Sequence, residues 1–259
     1  MTTPVKISAF LIVRDEAAYI ADVLRSCAEF DEVVVVDTGS NDNTLSLAKA
    51  SGAKVFQREW LGYAAQKKQA MELTSHEWVV SIDGDEVLAL GTVMAIRKAI
   101  NSGKALGYRI RRDDILMGET IAPAKQRALL RVFQKSSAQW DLSRIVHEHV
   151  DVPGKHPIIK GATIIHYGLD SIEDHASKLV HYAKLKDVMR SKSGQRHFLR
   201  LKLWVSFPLN LLKQLFQQRL ILKGTAGYIR AIQQAYYAFL YEALTYERQR
   251  LARKTDKQV

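Results

Sequence analysis

The short apolar run Trp78-Val79-Val80-Ser81-Ile82 stops abruptly in Asp83-Gly84-Asp85-Glu86. Three carboxylates this close repel one another, so leaving them side by side has a cost unless a cation lies among them. Hard oxygen donors of this kind suit Mg2+ or Mn2+, which bind through one or two carboxylates and complete their shell with substrate phosphates. The plainer reading is a solvated acidic turn after a strand. A second group occurs at Ile145-Val146-His147-Glu148-His149-Val150. On an extended chain His147 and His149 share one face and Glu148 points to the other. Two histidines at that spacing, with no third donor nearby, seldom make a zinc site. His166 ends the apolar stretch Ile158–Ile165 and reads alone as a hydrogen-bonded core or edge residue. Lys178 and Tyr182 stand one helical turn apart beside His181. A cation and a phenol so placed could grip a diphosphate; the alternative is a solvated helix face.

Such groups cooperate only if the fold carries them to one place. Ile7–Val13 (ISAFLIV) is a near-continuous apolar run, the mark of a strand covered on both faces, and Arg14-Asp15-Glu16 follows it. Ile20, Val23, Leu24 and Cys27 then recur at i, i+3, i+4, i+7, which predicts a helix. Asp31–Asp37 (DEVVVVD) is a second buried strand ending in an acid. Thr38–Thr44 (TGSNDNT) is a turn rich in helix-capping residues that leads into Leu45, Leu47 and Ala48. Lys54–Phe56 gives a short third strand, Ala64–Leu73 a third helix, and Trp78–Ile82 a fourth strand. Alternation with connections this short predicts a parallel sheet, whose ligands bind at the carboxyl ends of its strands. Asp15, Asp37 and Asp83 should therefore meet on one edge. No G-x-G-x-x-G or G-x-x-x-x-G-K-[ST] occurs, which argues against a dinucleotide or P-loop site.

Beyond residue 100 the pattern loosens. Tyr108–Arg112 and Ala128–Phe133 read as strands, with Asp113–Gly118 a loop between them; Glu173–Met189 and Ala226–Arg250 read as helices. The single cysteine, Cys27, excludes a disulfide framework and fits a reducing compartment. The start MTTPVKISAF lacks the pattern of a secretory signal, and no run of 18 apolar residues occurs, so the expectation is an intracellular chain without a spanning helix. The net charge of +11 is unevenly spread. Residues 1–100 carry 10 basic against 14 acidic side chains, 101–194 carry 16 against 10, and 195–259 carry 12 against 3. A basic end on an acidic start points to an anionic partner, nucleic acid or a membrane surface. His197–Leu222 holds ten uncharged residues between Lys202 and Lys213, with Trp204 and Phe207 among them and Pro208 expected to break or kink the segment. Basic residues flanking aromatics and leucines describe a stretch lying in the membrane interface. The competing view is a dimerising helix pair.

Three of these stretches, Ile12-Val13-Arg14-Asp15-Glu16, Val36–Thr44 and Trp78–Glu86, resemble the nucleotide-sugar domain of family 2 glycosyltransferases, which have the GT-A fold. Gly62-Tyr63-Ala64-Ala65-Gln66-Lys67, Arg131-Val132-Phe133, His147-Glu148 and Ile165-His166-Tyr167-Gly168 are similar to the bacterial branch that builds lipopolysaccharide core. Within that branch the likeness is to the β-1,4-glucosyltransferases that act on inner-core heptose. Each motif is weak alone; their order over roughly 1–190 is specific. The family often has Asn where this chain has Asp15, and Ala where it has Gly84. The resemblance implies an α/β GT-A fold, a Rossmann-like mixed sheet flanked by helices, over 1–190. Residues 1–100 would be its nucleotide-sugar half, 101–190 its acceptor half, and 191–259 a basic amphipathic helical tail.

Roles follow from the same resemblance. Asp37 would take the uracil or ribose, although it serves equally as a cap for the next helix, and Asp15, Glu16 and Lys67 would line the nucleotide-sugar site. Asp83 would touch the ribose and the metal, Asp85 would hold the metal, and His166 would complete the metal or diphosphate site. Glu86 either orients that shell or, more plainly, is an exposed acid starting a helix. Arg131 would steady a phosphate or an acceptor sugar, unless it is a surface charge on a strand. His147-Glu148 would form the acceptor-side motif, with Glu148 the first candidate for the base and Asp114 and Asp113 behind it; Lys178 and Tyr182 remain candidates for the diphosphate. The implied reaction is a Mg2+- or Mn2+-dependent inverting transfer of a hexose from a UDP-sugar to a lipid-anchored saccharide. It would take place at an anionic surface, the cytoplasmic face of the cytoplasmic membrane, with no nucleic acid involved. Rival readings are transfer to another lipid-linked or capsule acceptor, and a nucleotidyltransferase, which should carry a glycine- and arginine-rich loop after the first strand. A non-enzymatic basic binding protein is the third; it leaves the strand-end acids unexplained.

Overall fold

The computed structural model describes residues 5–121, 128–141, 150–168, 172–192 and 199–255. The chain divides into two compact units, Met1–Asp114 with Gln126–Gly168, and Ile115–Lys125 with Leu169–Val259.

The first unit is built on β1 (Ile7–Val13), β2 (Glu32–Asp37), β3 (Lys54–Gln57) and β4 (Trp78–Asp83), all parallel, in the order β3-β2-β1-β4. The helices α1 (Ile20–Ser26), α2 (Thr44–Ala50) and α3 (Tyr63–Glu72) connect them. Alternation decides the packing, because successive side chains of a strand point to opposite faces. Ala9, Leu11, Val35, Val80 and Ile82 face one core with Val23 of α1, Cys27 just past its end, and Ala48 of α2. Phe10, Val34, Val36 and Val79 face the other with Ala70 and Met71 of α3. Both faces are covered, which is why these strands read as unbroken apolar runs.

The remaining strands make the sheet mixed. After β4 come β5 (Glu86–Leu88), α4 (Thr92–Asn101), β6 (Gly107–Leu116), β7 (Glu119–Thr120), β8 (Ala128–Gln134), β9 (Gln139–Trp140), β10 (Val150–Asp151) and β11 (Ile158–His166). The sheet runs β3-β2-β1-β4-β8-β6-β11-β5, while β7 pairs with β6 and β9 with β10. β8 is antiparallel to both of its neighbours, β6 is parallel to β11, and β5 is antiparallel to β11. The carboxyl ends of β1, β2, β3, β4, β6 and β11 therefore share one edge, and β8 and β5 begin there. Two expectations need correcting. Asp113–Leu116 continue β6, because β11 and β7 supply them with partners, and the turn is confined to Met117-Gly118. Glu86 opens a strand and is wholly buried, where an exposed helix-start acid was expected.

In the second unit α5 (Ile172–Lys192) and α6 (Leu199–Leu212) each pack against the long α7 (Gly224–Thr255). Asp187 of α5 accepts two hydrogen bonds from Arg248 of α7 at 2.8 Å each, and one from the Thr245 hydroxyl at 2.7 Å. This pairing groups α5 with the tail, whereas the sequence put the boundary at 190. Pro208 lies inside α6 and the helix continues past it. The irregularity falls later, in a π turn at Lys213–Gln217 and a 3-10 turn at Leu220–Lys223, where Arg219 takes a positive φ of 56°.

Candidate active site at the carboxyl edge of the sheet

Register sets the first three acids. Ile12 is opposite Asp83 and Val13 opposite Asp37, so the loops after β1, β2 and β4 leave the sheet together. Asp15 adopts a positive φ of 55°, a conformation Asp tolerates better than most residues. That bend aims its carboxylate at the Asn41 N–H, 2.7 Å away, while its own N–H donates to the Ser40 hydroxyl at 3.0 Å. Glu16 N–H donates to the Thr44 hydroxyl and Ala17 N–H to Asp42. Asp37 turns back on its own loop and accepts from the Gly39 and Ser40 amides and the Ser40 hydroxyl. The acids after β1 and β2 thus lace two loops together. Asn43, not Asp37, is the cap of α2.

β8 brings Arg131 beside β4. One guanidinium nitrogen lies 2.6 Å from Asp83 Oδ2 and 2.7 Å from Glu86 Oε1, and Lys67 Nζ of α3 lies 2.9 Å from Asp83 Oδ1. Lys67, Glu86 and Arg131 are all buried. Burial alone would raise the Asp83 carboxyl, but Arg131 and Lys67 outweigh it and hold it well below the usual range. Glu86 is pushed the other way: burial raises its carboxyl, Arg131 opposes this, and the charge on Asp83 adds to it. Burial disfavours the Arg131 cation too, yet the two carboxylates keep it firmly charged. Glu86 also accepts the Asp83 N–H at 3.1 Å, so it braces the backbone at the end of β4.

The third group lies across the same edge. His166 is opposite Asp114 in the β6–β11 pair and opposite Glu86 in the β11–β5 pair. Its Nδ1 is 2.9 Å from Asp114 Oδ1, and its Nε2 is 3.4 Å from Asp85 Oδ2. Arg112, on the same face of β6 as Asp114, is 3.2 Å from that Asp114 oxygen and 3.6 Å from Glu86. Burial would lower the imidazole, but Asp114 and Asp85 more than offset it and push it up to about 9. Gly168 closes over the pair. A Cβ there would lie 2.2 Å from Asp85 Oδ2 and 2.9 Å from His166 Nε2, so only glycine leaves that space clear. At Gly84 a Cβ would meet Glu16 Cγ at 2.8 Å.

Asp15, Glu16, Asp37, Lys67, Asp83, Asp85, Arg131, Asp114 and His166 all stand along this edge. Both oxygens of Asp83 are engaged by cations, and Arg131 is a buried bridge, not the surface charge of the plainer reading. Asp113, next to Asp114 on β6, takes the opposite side of the strand. Lys178 and Tyr182 are exposed on α5 of the second unit. His147 and Glu148 lie outside the described residues. Sequence reasoning gave Arg112 no role at the site, and it quoted Gly168 only as part of a motif. The available signals were an arginine two residues before Asp114 and the glycine of His166-Tyr167-Gly168.

The sequence model for "Glycosyl transferase family 2" matches residues 8–151. The chain is 31% identical over 260 residues to the lipopolysaccharide core biosynthesis glycosyltransferase LpsC of Rhizobium meliloti, covering 97% of this chain and 96% of that one. It is also 31% identical over 253 residues to an uncharacterized glycosyltransferase of Rickettsia typhi, RT0209, covering 91% of this chain and 85% of that protein. Among solved structures, glucosyl-3-phosphoglycerate synthase from Mycobacterium tuberculosis overlaps 42% of this chain and 44% of its own, with 27% identity and a TM-score of 0.38.

Proposed function

The chain belongs to the family 2 glycosyltransferases, and on that premise we propose that it transfers a hexose, glucose in the first instance, from a UDP-sugar to a heptose of lipopolysaccharide core with inversion. The likeness to LpsC along nearly the full length of both chains supports the acceptor class. The observation that carries the chemistry is the Asp85–His166 pair, oriented by Asp114 and left open by Gly168.

That pair fits a divalent ion. A carboxylate oxygen and an imidazole nitrogen face each other, the far side of the ring is anchored by a second carboxylate, and the space a Cβ would fill is clear. Among the described residues no group of three or more acidic, histidine or cysteine ligands forms a cage. A site offering one carboxylate and one imidazole suits Mg2+ or Mn2+, which rely on substrate phosphates for the rest of their shell. Held by Asp85 and His166, the ion would supply positive charge against the diphosphate as it leaves. Asp83 stays ionised beside Arg131 and Lys67 and accepts hydrogen bonds from ribose hydroxyls. Asp15, Glu16 and Asp37 shape the loops around the base. The accepting hydroxyl attacks the anomeric carbon from the face opposite the diphosphate. Glu148 takes its proton as the new glycosidic bond forms and the bond to the diphosphate breaks.

UDP release is measured with isolated core lipid and a panel of nucleotide sugars, with and without chelator. We expect turnover with one UDP-hexose, abolished by chelator and restored by Mg2+ or Mn2+. Glu148→Gln should lose turnover yet keep the thermal protection given by UDP-sugar and metal. Undiminished transfer by Asp85→Ala would overturn the proposal.

A further inference from the structure

The second unit carries a surface that glycosyl transfer does not use. From Val188 to Tyr241 the sequence contains nine Lys and Arg residues and no Asp or Glu. Within α6, Leu201, Trp204, Pro208 and Leu212 follow at i, i+3, i+7 and i+11. At 100° per residue they fall within one narrow arc of the helix. All four are exposed, Trp204 to 83%. Lys202 and Lys213 border that arc on one side, and both are exposed. The chain then passes through the π turn to the 3-10 turn, where Ile221 and Leu222 are exposed at 51% and 74%, and Lys223 follows. Lys202, Lys213 and Lys223, with no acid in the same stretch of sequence, stand beside exposed leucine, isoleucine and tryptophan, a patch that is costly to leave in water.

We propose that the exposed face of α6, with the Leu220–Lys223 turn, docks on an anionic lipid bilayer, the apolar stripe entering the headgroup boundary and the flanking lysines resting on lipid phosphates. Two observations select this occupant over a protein. The charge is of one sign across 54 residues, which repels a second copy of the same surface and complements an anionic leaflet. The apolar residues include a tryptophan, whose amphipathic ring favours the membrane interface. Among the described residues no helix is long and apolar enough to cross a membrane, so the contact lies in the interface. The inference holds whichever sugar is transferred, because the surface is separate in sequence from every group placed at the site.

The test uses the full chain without donor or acceptor, mixed with vesicles of phosphatidylcholine alone or of phosphatidylcholine with phosphatidylglycerol. Co-sedimentation should show binding to the anionic vesicles, with a blue shift and quenching of tryptophan emission by brominated lipid that Trp204→Phe removes. Neutralising Lys202, Lys213 and Lys223 together to Gln should weaken binding about 100-fold, roughly fivefold per charge. Trp204→Ser should weaken it about tenfold. Lys49→Gln with Lys104→Gln, exposed lysines of the first unit, should change little. All variants should keep the parent melting temperature and their turnover on a soluble acceptor. Equal binding to both vesicle types, or unaltered binding by the triple lysine variant, overturns the proposal. So does a dimer in sedimentation velocity that Trp204→Ser dissociates while vesicles fail to bind.

Discussion

The carboxyl edge of the sheet and the α6 surface treat charge in opposite ways. At the edge, Asp83, Asp85, Glu86 and Asp114 meet Lys67, Arg112, Arg131 and His166 at close range and mostly out of water. On α6 and the turn after it, cations stand without acids among uncovered apolar side chains. The first arrangement satisfies itself: each buried charge has its counter-charge in the same chain. The second, on the docking proposed above, is one half of a contact whose other half is the bilayer. Pairing at the edge fixes geometry, while Lys202 and Lys213, exposed and without an acidic partner among the described residues, keep their charge available to an anionic surface.

The comparison breaks most sharply at Arg131. Arg131→Met leaves Asp83 and Glu86 facing each other without their shared cation, and removing one partner of a buried ionic group costs about 3–5 kcal/mol. Thermal melts should show that loss, and UDP release should fall by about 100-fold or more. A melt within a degree of the parent would mean that the edge does not depend on its own pairing. Gly168→Ala is the next largest. The added methyl must displace Asp85 or His166, so activity should drop by tens-fold and Mn2+ activation should shift to higher concentration, at about 1–3 kcal/mol in stability. Unchanged metal activation would show that the space under Gly168 is idle. Asp114→Asn keeps the shape and removes the charge behind the imidazole. Loss of such an orienting carboxylate typically costs 10–100-fold in metal affinity or activity, and here it should appear in the Mn2+ titration with little change in melting temperature.

Glu32 gives the smallest and most general test, away from the site. It is buried at the start of β2, paired with Lys54 at 2.6 Å and bonded to Ser8 and Ser75. Burial raises its carboxyl, but Lys54 and the serine donors win and bring it from the ordinary 4.5 to about 2. A folded pKa below the unfolded one adds stability that is complete above pH 4.5 and lost as pH falls towards 2. Over that window the parent should lose about 2 kcal/mol that Glu32→Gln has already forgone, so their melting curves should converge in acid. Parallel curves would remove Glu32 from the account of acid stability.

The parallel half of the sheet was legible because local pattern and tertiary demand coincide there. Runs such as ISAFLIV and EVVVV are buried on both faces, so each residue announces the same environment. The convergence of Asp15, Asp37 and Asp83 follows from strand direction alone. Glu86 and Arg131 could not be read in that way. Their burial depends on β8 entering between β4 and β6 and on β5 crossing to β11, and neither pairing leaves a local trace. An arginine inside ALLRVFQ was the one hint. Pro208 was expected to break or kink its segment, and the break does not occur: α6 packs on α7 and runs on through a residue that propensity alone disfavours.

The insertion of β8 has a consequence for how the chain matures. The acids at the end of β4 are synthesised some 45 residues before the arginine that neutralises them, and β5 finds its partner only once β11 exists. A nascent chain halted before Ala128 would hold Asp83 beside Lys67 alone, Glu86 without Arg131, and β5 without the strand it pairs with. Pairing of the whole sheet in this unit therefore waits for β11, the last of its strands to leave the ribosome.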